Sequence, residues 1–315
     1  MTIDEIKQIF SSYKNFRLIG LTGGEAYTRP DFEEIIRVIV ETQPHLKWLS
    51  CTSNGLTKNI PDRVKQILDD NPKMSFTQLI SVDGPEPIHD KIRGVVGSWR
   101  MATGVLEELS ELRTSYPNFK IGTVTVAMPW NIDVFDDVLK EVIRIRDTLS
   151  LEPSFCVWFL GQLYKNASEG EKTPNRNDFR TKLLSYIPRM QQIVNGSSYA
   201  SIGRKMFYQL LEEFLCDPSH TVIPCGAAKI RYFLDPYGGV MPCTIWGKEI
   251  MNLRNVNYDL NTVFASEERH KVREAVEAED CPVCANTCET IPSMMAQPHR
   301  TIAKYVKIKA KAFLN

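Results

Sequence analysis

Five short β-rich runs alternating with amphipathic segments constrain the first half of this chain more than any other feature. The runs are Phe16 to Leu21, Trp48 to Thr52, Phe76 to Val82, Lys120 to Ala127 and Ser154 to Leu160. Apolar residues at helical spacing fill Ile3 to Tyr13, Asp31 to Glu41, Pro61 to Asp69, Trp99 to Ser115 and Ile132 to Thr148. Strands and helices in alternation cover both faces of a parallel sheet, so the expected class is α/β. Start signals support the helices: Asp31 follows Pro30, Pro61 follows Asn59-Ile60, and Asn131 precedes Ile132. The first element is a helix, so the series opens in the middle of a βα unit.

Parallel sheets collect their chemistry on the loops at the C-terminal ends of the strands, where loop amides and helix N-termini converge. Here the first such loop reads Thr22-Gly23-Gly24-Glu25, the second Thr52-Ser53-Asn54-Gly55 and the third Ser81-Val82-Asp83-Gly84. Paired glycines admit a ligand close to the backbone, and a carboxylate at the strand end accepts hydrogen bonds from an ammonium group. Small hydroxyl, amide and carboxyl side chains suit a carboxylate and ribose hydroxyls. Each loop taken singly is also an ordinary turn; three in register favour a site. His89-Asp90-Lys91-Ile92-Arg93-Gly94 follows, in which Arg93 is placed either to clamp a carboxylate or to pair with Asp90 or Glu86.

Lys plus Arg and Asp plus Glu are both 38 in 315 residues, so no overall field attracts nucleic acid. No window has the roughly 18 to 20 consecutive apolar residues of a membrane span, and no export signal opens the chain, so the expected location is cytoplasmic. In a reducing compartment the eight cysteines point to metal ligation before disulfides. Cys51, Cys156 and Cys216 are scattered, whereas Cys225, Cys243, Cys281, Cys284 and Cys288 share one short region. Seventeen residues (226–242) separate Cys225 from Cys243, with Asp235 to Gly239 between them as a hairpin turn. Cys281-Pro282-Val283-Cys284 adds a C-x2-C pair. Zinc and an iron–sulfur cluster are equally good solutions for such thiolates on spacing alone.

The three strand-end loops, together with Ile88 to Gly94, resemble the core of the radical S-adenosylmethionine (SAM, AdoMet) enzymes. Cys225, twelve residues, Gly238, four residues and Cys243, then C-x2-C, resemble the SPASM/twitch auxiliary-cluster domain appended to many of them. The resemblance covers nearly the whole chain. It implies a partial (β/α)6 TIM-like barrel missing its first strand over residues 1–217, a small α+β twitch/SPASM domain over 218–299, and a C-terminal helix over 300–315. It further implies that Gly23, Gly24 and Glu25 receive the amino group of SAM, and that Ser53, Asn54, Ser81 and Asp83 lie at its ribose and carboxylate. By the same resemblance Cys225, Cys243, Cys281 and Cys284 hold one auxiliary [4Fe–4S] cluster, with Cys288 a spare, neighbouring or alternative ligand.

The implied activity is that of an oxidoreductase or a peptide- or small-molecule-modifying enzyme. Such enzymes use a 5′-deoxyadenosyl radical to abstract hydrogen and draw electrons from a flavodoxin- or ferredoxin-type reductant. Two departures qualify the transfer. Ala26 stands where the family usually has Pro, and the C-x3-C-x2-C loop that holds the radical-generating [4Fe–4S] cluster is not found. The expectation is therefore a chain recorded from an internal methionine. The alternative is a shortened homologue that binds a ligand, peptide or partner around a structural cluster or zinc.

Overall fold

The computed structural model describes residues 1–157, 176–194 and 199–314. The last residues of the expected strand Ser154 to Leu160, and most of the polar stretch 165–177, lie outside them. Two compact units divide the chain. The first comprises Met1–Val126, Asp133–Phe155 and Val256–Asn261; the second comprises Ala127–Ile132, Cys156–Asn255 and Thr262–Asn315.

The first unit is built on a sheet of order β1-β2-β3-β4-β5, with β1 Leu18–Leu21, β2 Trp48–Ser53, β3 Phe76–Ser81, β4 Phe119–Ala127 and β5 Glu152–Val157. β1 to β4 pair in parallel, with Leu21 opposite Cys51 and Ser53 opposite Ile80. That register brings the C-terminal ends of the first three strands, and hence their loops, side by side. The helices are α1 Ile3–Ser12, α2 Phe32–Thr42, α3 Ile60–Asp70, α4 Glu86–Arg93, α5 Ser98–Leu112 and α6 Phe135–Leu149. Thr2 and Glu5 start α1 reciprocally: Thr2 Oγ1 accepts from the Glu5 amide at 3.2 Å, and Glu5 Oε2 accepts from the Thr2 amide at 2.7 Å.

Apolar residues of both element types meet in one core: Leu49, Cys51, Phe76 and Ile80 from strands, and Ile36, Ile39, Val64 and Leu106 from helices, each at most 1% exposed. Leu49→Ala should therefore destabilise this unit by about 2 to 5 kcal/mol, the range for truncating a buried Leu. Urea unfolding monitored by circular dichroism checks this.

In the first unit the expected and observed elements agree to within three residues at the ends described, apart from α4; the largest differences are at the end of α5 and the start of α6, where 3-10 turns occupy Arg113–Ser115 and Ile132–Val134. Its eight residues begin after Pro85 and end at Gly94, whose amide donates to the Asp90 carbonyl. So short a segment gives little periodicity, which is why the sequence pattern leaves it as part of a loop.

In the second unit, β6 Phe233–Leu234, β7 Gly239–Met241 and β8 Met251–Asn252 form an antiparallel sheet. The turn from Asp235 to Gly238 joins β6 to β7, with Asp235 Oδ1 accepting from the amides of Tyr237 and Gly239 at 2.8 and 2.9 Å. Helices α7 Arg176–Ile193, α8 Tyr199–Cys216, α9 Leu260–Ala265, α10 Glu267–Glu277, α11 Thr287–Ala296 and α12 Pro298–Leu314 complete the described elements. α12 packs along α8 and α11, with Lys304 Nζ 2.7 Å from Glu213 of α8. No helix among the described residues is long and apolar enough to cross a membrane.

Candidate functional site

The strand-end loops of the first unit are tied to one another through the side chains singled out above. Glu25 follows β1, and its Oε2 accepts from the Asn54 amide at 2.8 Å while Oε1 accepts from the Tyr27 amide at 3.3 Å. A carboxylate has about four lone-pair positions, so two remain for a cation. Gly23 at φ +123° takes a conformation that a side chain would strain, and the space around Gly23 and Gly24 is open. Backbone and carboxylate thus border a gap that a ligand ammonium can enter.

On the second loop, Ser53 is buried and its Oγ accepts from the Gly55 amide at 3.0 Å. Asn54 Oδ1 accepts from the Leu56 amide at 2.9 Å, which fixes the side chain and aims its two amide protons elsewhere. Gly55, at φ +76°, could not carry a Cβ: it would lie 2.8 Å from Ala102 Cα. The packing of α5 under this loop therefore demands glycine.

Ser81 ends β3 half-buried. Asp83, 1% exposed, turns inward, with Oδ2 2.6 Å from Arg93 Nη2 and Oδ1 accepting from the Val126 amide of β4 at 3.3 Å. Arg93 pairs with neither Asp90 nor Glu86. Glu86 meets Arg100 at 2.8 Å. Asp90 accepts from the amides of Trp99 and Gly97 and from Ser98 Oγ, at 2.8, 2.5 and 2.8 Å, and so caps α5.

The Trp99 amide first, with Gly97 and Ser98, holds the Asp90 carboxyl below the usual 3.8. A depressed carboxyl contributes stability above its unfolded pKa and loses it as pH falls through the lower folded value. Relative to the intrinsic rate at each pH, amide exchange at Gly97 to Trp99 should therefore be strongly slowed at neutral pH and lose that protection only in acid. Asp90→Ala should accelerate it at neutral pH, as hydrogen-exchange mass spectrometry would show.

The second unit gathers Cys225, Cys243, Cys281 and Cys284 into one apolar cluster with Ala227, Ile245, Trp246 and Val276. The Cys225 loop is held from two helices: Arg273 of α10 donates to the carbonyls of Cys225 and Ala227 at 2.7 and 2.9 Å, and Ser293 of α11 accepts from the Gly226 amide at 2.8 Å. Glu279, just ahead of Cys281, accepts from the Thr221 amide at 2.7 Å, which ties the loop before Cys281 to the segment before Cys225. Cys243 follows β7.

Burial raises all four thiols, Cys243 to about 12 and Cys281 to about 11. Backbone amides already point at sulfur: Trp246 N lies 3.1 Å from Cys243 Sγ and Ala227 N 3.5 Å from Cys225 Sγ. One buried and three half-buried cysteines, two of them with amide donors to sulfur, in an apolar shell suit a soft metal centre, whose positive charge would offset the cost of burying thiolates. Among the described residues, no three His, Cys, Asp or Glu side chains are yet drawn together at coordinating separations.

Cys288 stands apart, exposed on the first turn of α11, with its amide donating to the cap residue Asn286 at 2.7 Å. Its neighbour Glu289 was not foreseen. It is 3% exposed, accepts from Arg231 Nε at 3.1 Å, and lines a small cavity with Cys225 and Cys284. Nothing in the sequence distinguishes it from a surface glutamate of a short helix.

No protein-family model and no curated protein matches the chain. Solved structures do. Polyhistidine-tagged anSMEcpe with bound AdoMet is 15% identical, with 99% of this chain and 88% of that chain covered and a TM-score of 0.59. Native anSMEcpe with bound AdoMet and Cp18Cys peptide is 16% identical over 98% and 92%, with a TM-score of 0.59. Native anSMEcpe with AdoMet and Kp18Cys peptide gives 15%, 99% and 89%, again at 0.59. At such identities the likeness is one of fold.

Proposed function

We propose that this chain is a radical SAM-type enzyme acting on a peptide or small-molecule substrate. AdoMet would bind across the loops after β1, β2 and β3, and Cys225, Cys243, Cys281 and Cys284 of a C-terminal twitch/SPASM domain would hold one auxiliary [4Fe–4S] cluster. The observation that carries this reading is the link from Glu25 to the Asn54 amide. It joins two of the three strand-end loops around an open glycine gap, in a fold shared with structures that hold AdoMet.

AdoMet is a zwitterion with a sulfonium, so its pocket needs an acceptor for the ammonium and donors for the carboxylate. Glu25 supplies the first. Asn54 and Arg93, on the second loop and on the helix after the third, are the donors proposed for the carboxylate, and Ser81 adds a hydroxyl at the end of β3. When bound beside a reduced cluster held by a C-x3-C-x2-C loop, which is not found in this chain, AdoMet supplies hydrogen-atom abstraction; the residues present here do not by themselves generate the radical. The residues of this chain bind and orient AdoMet, while the apolar shell around the four cysteines limits water at the auxiliary centre.

The peptide-bound anSMEcpe structures favour a peptide among the substrate classes, and a flavodoxin- or ferredoxin-type reductant is the proposed electron source. The test is calorimetric titration of the anaerobically reconstituted protein with AdoMet. Saturable one-to-one binding supports the reading; no heat at millimolar AdoMet overturns it.

A further inference from the structure

The helix that follows the third loop carries a group that the proposed AdoMet site does not by itself explain. His89 is fully buried, and its Nδ1 accepts from the Asp83 amide at 3.1 Å. An N–H pointing at Nδ1 requires a lone pair there, so the ring proton is on Nε2 and the imidazole is neutral. His89 and Arg93 stand one helical turn apart on α4, on the same face. Three contacts thus converge on one residue: His89 takes the amide of Asp83, Arg93 takes Oδ2 at 2.6 Å, and the Val126 amide of β4 takes Oδ1 at 3.3 Å.

We infer that His89 is the positioning residue of the Asp83–Arg93 pair, holding the loop after β3 so that the guanidinium, 27% exposed, is presented to the AdoMet site. The inference rests on the AdoMet reading for its purpose but not for its geometry. Without the imidazole, the buried amide of Asp83 loses its acceptor and the backbone that carries the carboxylate loses its tie to α4. An imidazolium would set N–H against N–H beside the Arg93 cation. Asp83 and Asp90 face the ring and favour its protonation; burial first, and then Arg93, oppose it, and the balance holds His89 below the ordinary histidine range. A histidine with a lowered folded pKa gives stability that is present above the unfolded value, about 6.5, and lost as pH falls towards the folded one.

Histidine-selective 15N NMR tests the geometry on the whole chain, with His89 assigned by the peak lost in His89→Asn. The expected spectrum shows the neutral Nε2–H form at pH 7, still neutral below about pH 6.5, where a free imidazole is mostly protonated. An Nδ1–H form, or an imidazolium at pH 7, would overturn the inference. Asn places an acceptor where Nδ1 sits, whereas Phe keeps the volume and removes the acceptor. His89→Asn should keep amide exchange over residues 83–93 and AdoMet affinity within about threefold of wild type, and His89→Phe should lose at least tenfold in both. Equal loss in the two variants would reduce His89 to a space-filling role and overturn the proposal. Wild-type protein that shows the expected tautomer and exchange yet binds no AdoMet would refute the nucleoside reading and leave the positioning role standing.

Discussion

Replacing Glu25 with Gln should weaken AdoMet binding by roughly tenfold to a hundredfold, the loss expected when one charge-assisted hydrogen bond becomes neutral. The same change should weaken 5′-methylthioadenosine, which lacks the amino-acid end, far less, since only the weaker 3.3 Å bond to the Tyr27 amide is then given up. The contrast matters because Glu25 has two tasks. It accepts from the Asn54 and Tyr27 amides, which shapes the loops, and it has lone pairs left beyond those two bonds for a ligand ammonium. Gln keeps one carbonyl acceptor and loses the charge. If both ligands weakened equally in calorimetry, Glu25 would act only through the loops, and the ammonium contact would be wrong.

The second large effect is expected at the cysteines. Cys243→Ala or Cys284→Ala should reduce bound iron after anaerobic reconstitution to a small fraction of wild type, because each removes one of four thiolates from a closed apolar cluster. Cys288→Ala should change little, since Cys288 lies outside that cluster and on the exposed side of α11. Iron analysis of the three variants side by side decides this. Retention of iron in Cys284→Ala together with loss in Cys288→Ala would exchange the assigned roles.

Much of this site was legible in the sequence because its parts are local. Glycine pairs, Asn-Gly and Asp-Gly follow β-rich runs, and parallel pairing of consecutive strands necessarily brings their ends together. The C-x2-C pair and the hairpin between Cys225 and Cys243 are likewise short-range signals, and the turn at Asp235 to Gly238 formed as the residues suggested.

What escaped the sequence is pairing at a distance. Arg93 had three acidic residues within reach, Asp83, Glu86 and Asp90. Which one it meets is decided by α4, whose turn carries Arg93 back to Asp83 while Asp90 is taken up capping α5. Glu289 escaped for the same reason: its partner Arg231 comes from 58 residues earlier in the chain.

The most direct test is Mössbauer spectroscopy with iron and sulfide analysis of the wild-type chain, purified and reconstituted without oxygen. About four irons and four sulfides per chain, with the quadrupole doublet of a [4Fe–4S]2+ cluster, are expected from the four clustered cysteines. Stoichiometric zinc, with neither iron nor sulfide after reconstitution, would contradict the assignment and reduce this region to a zinc-stabilised module.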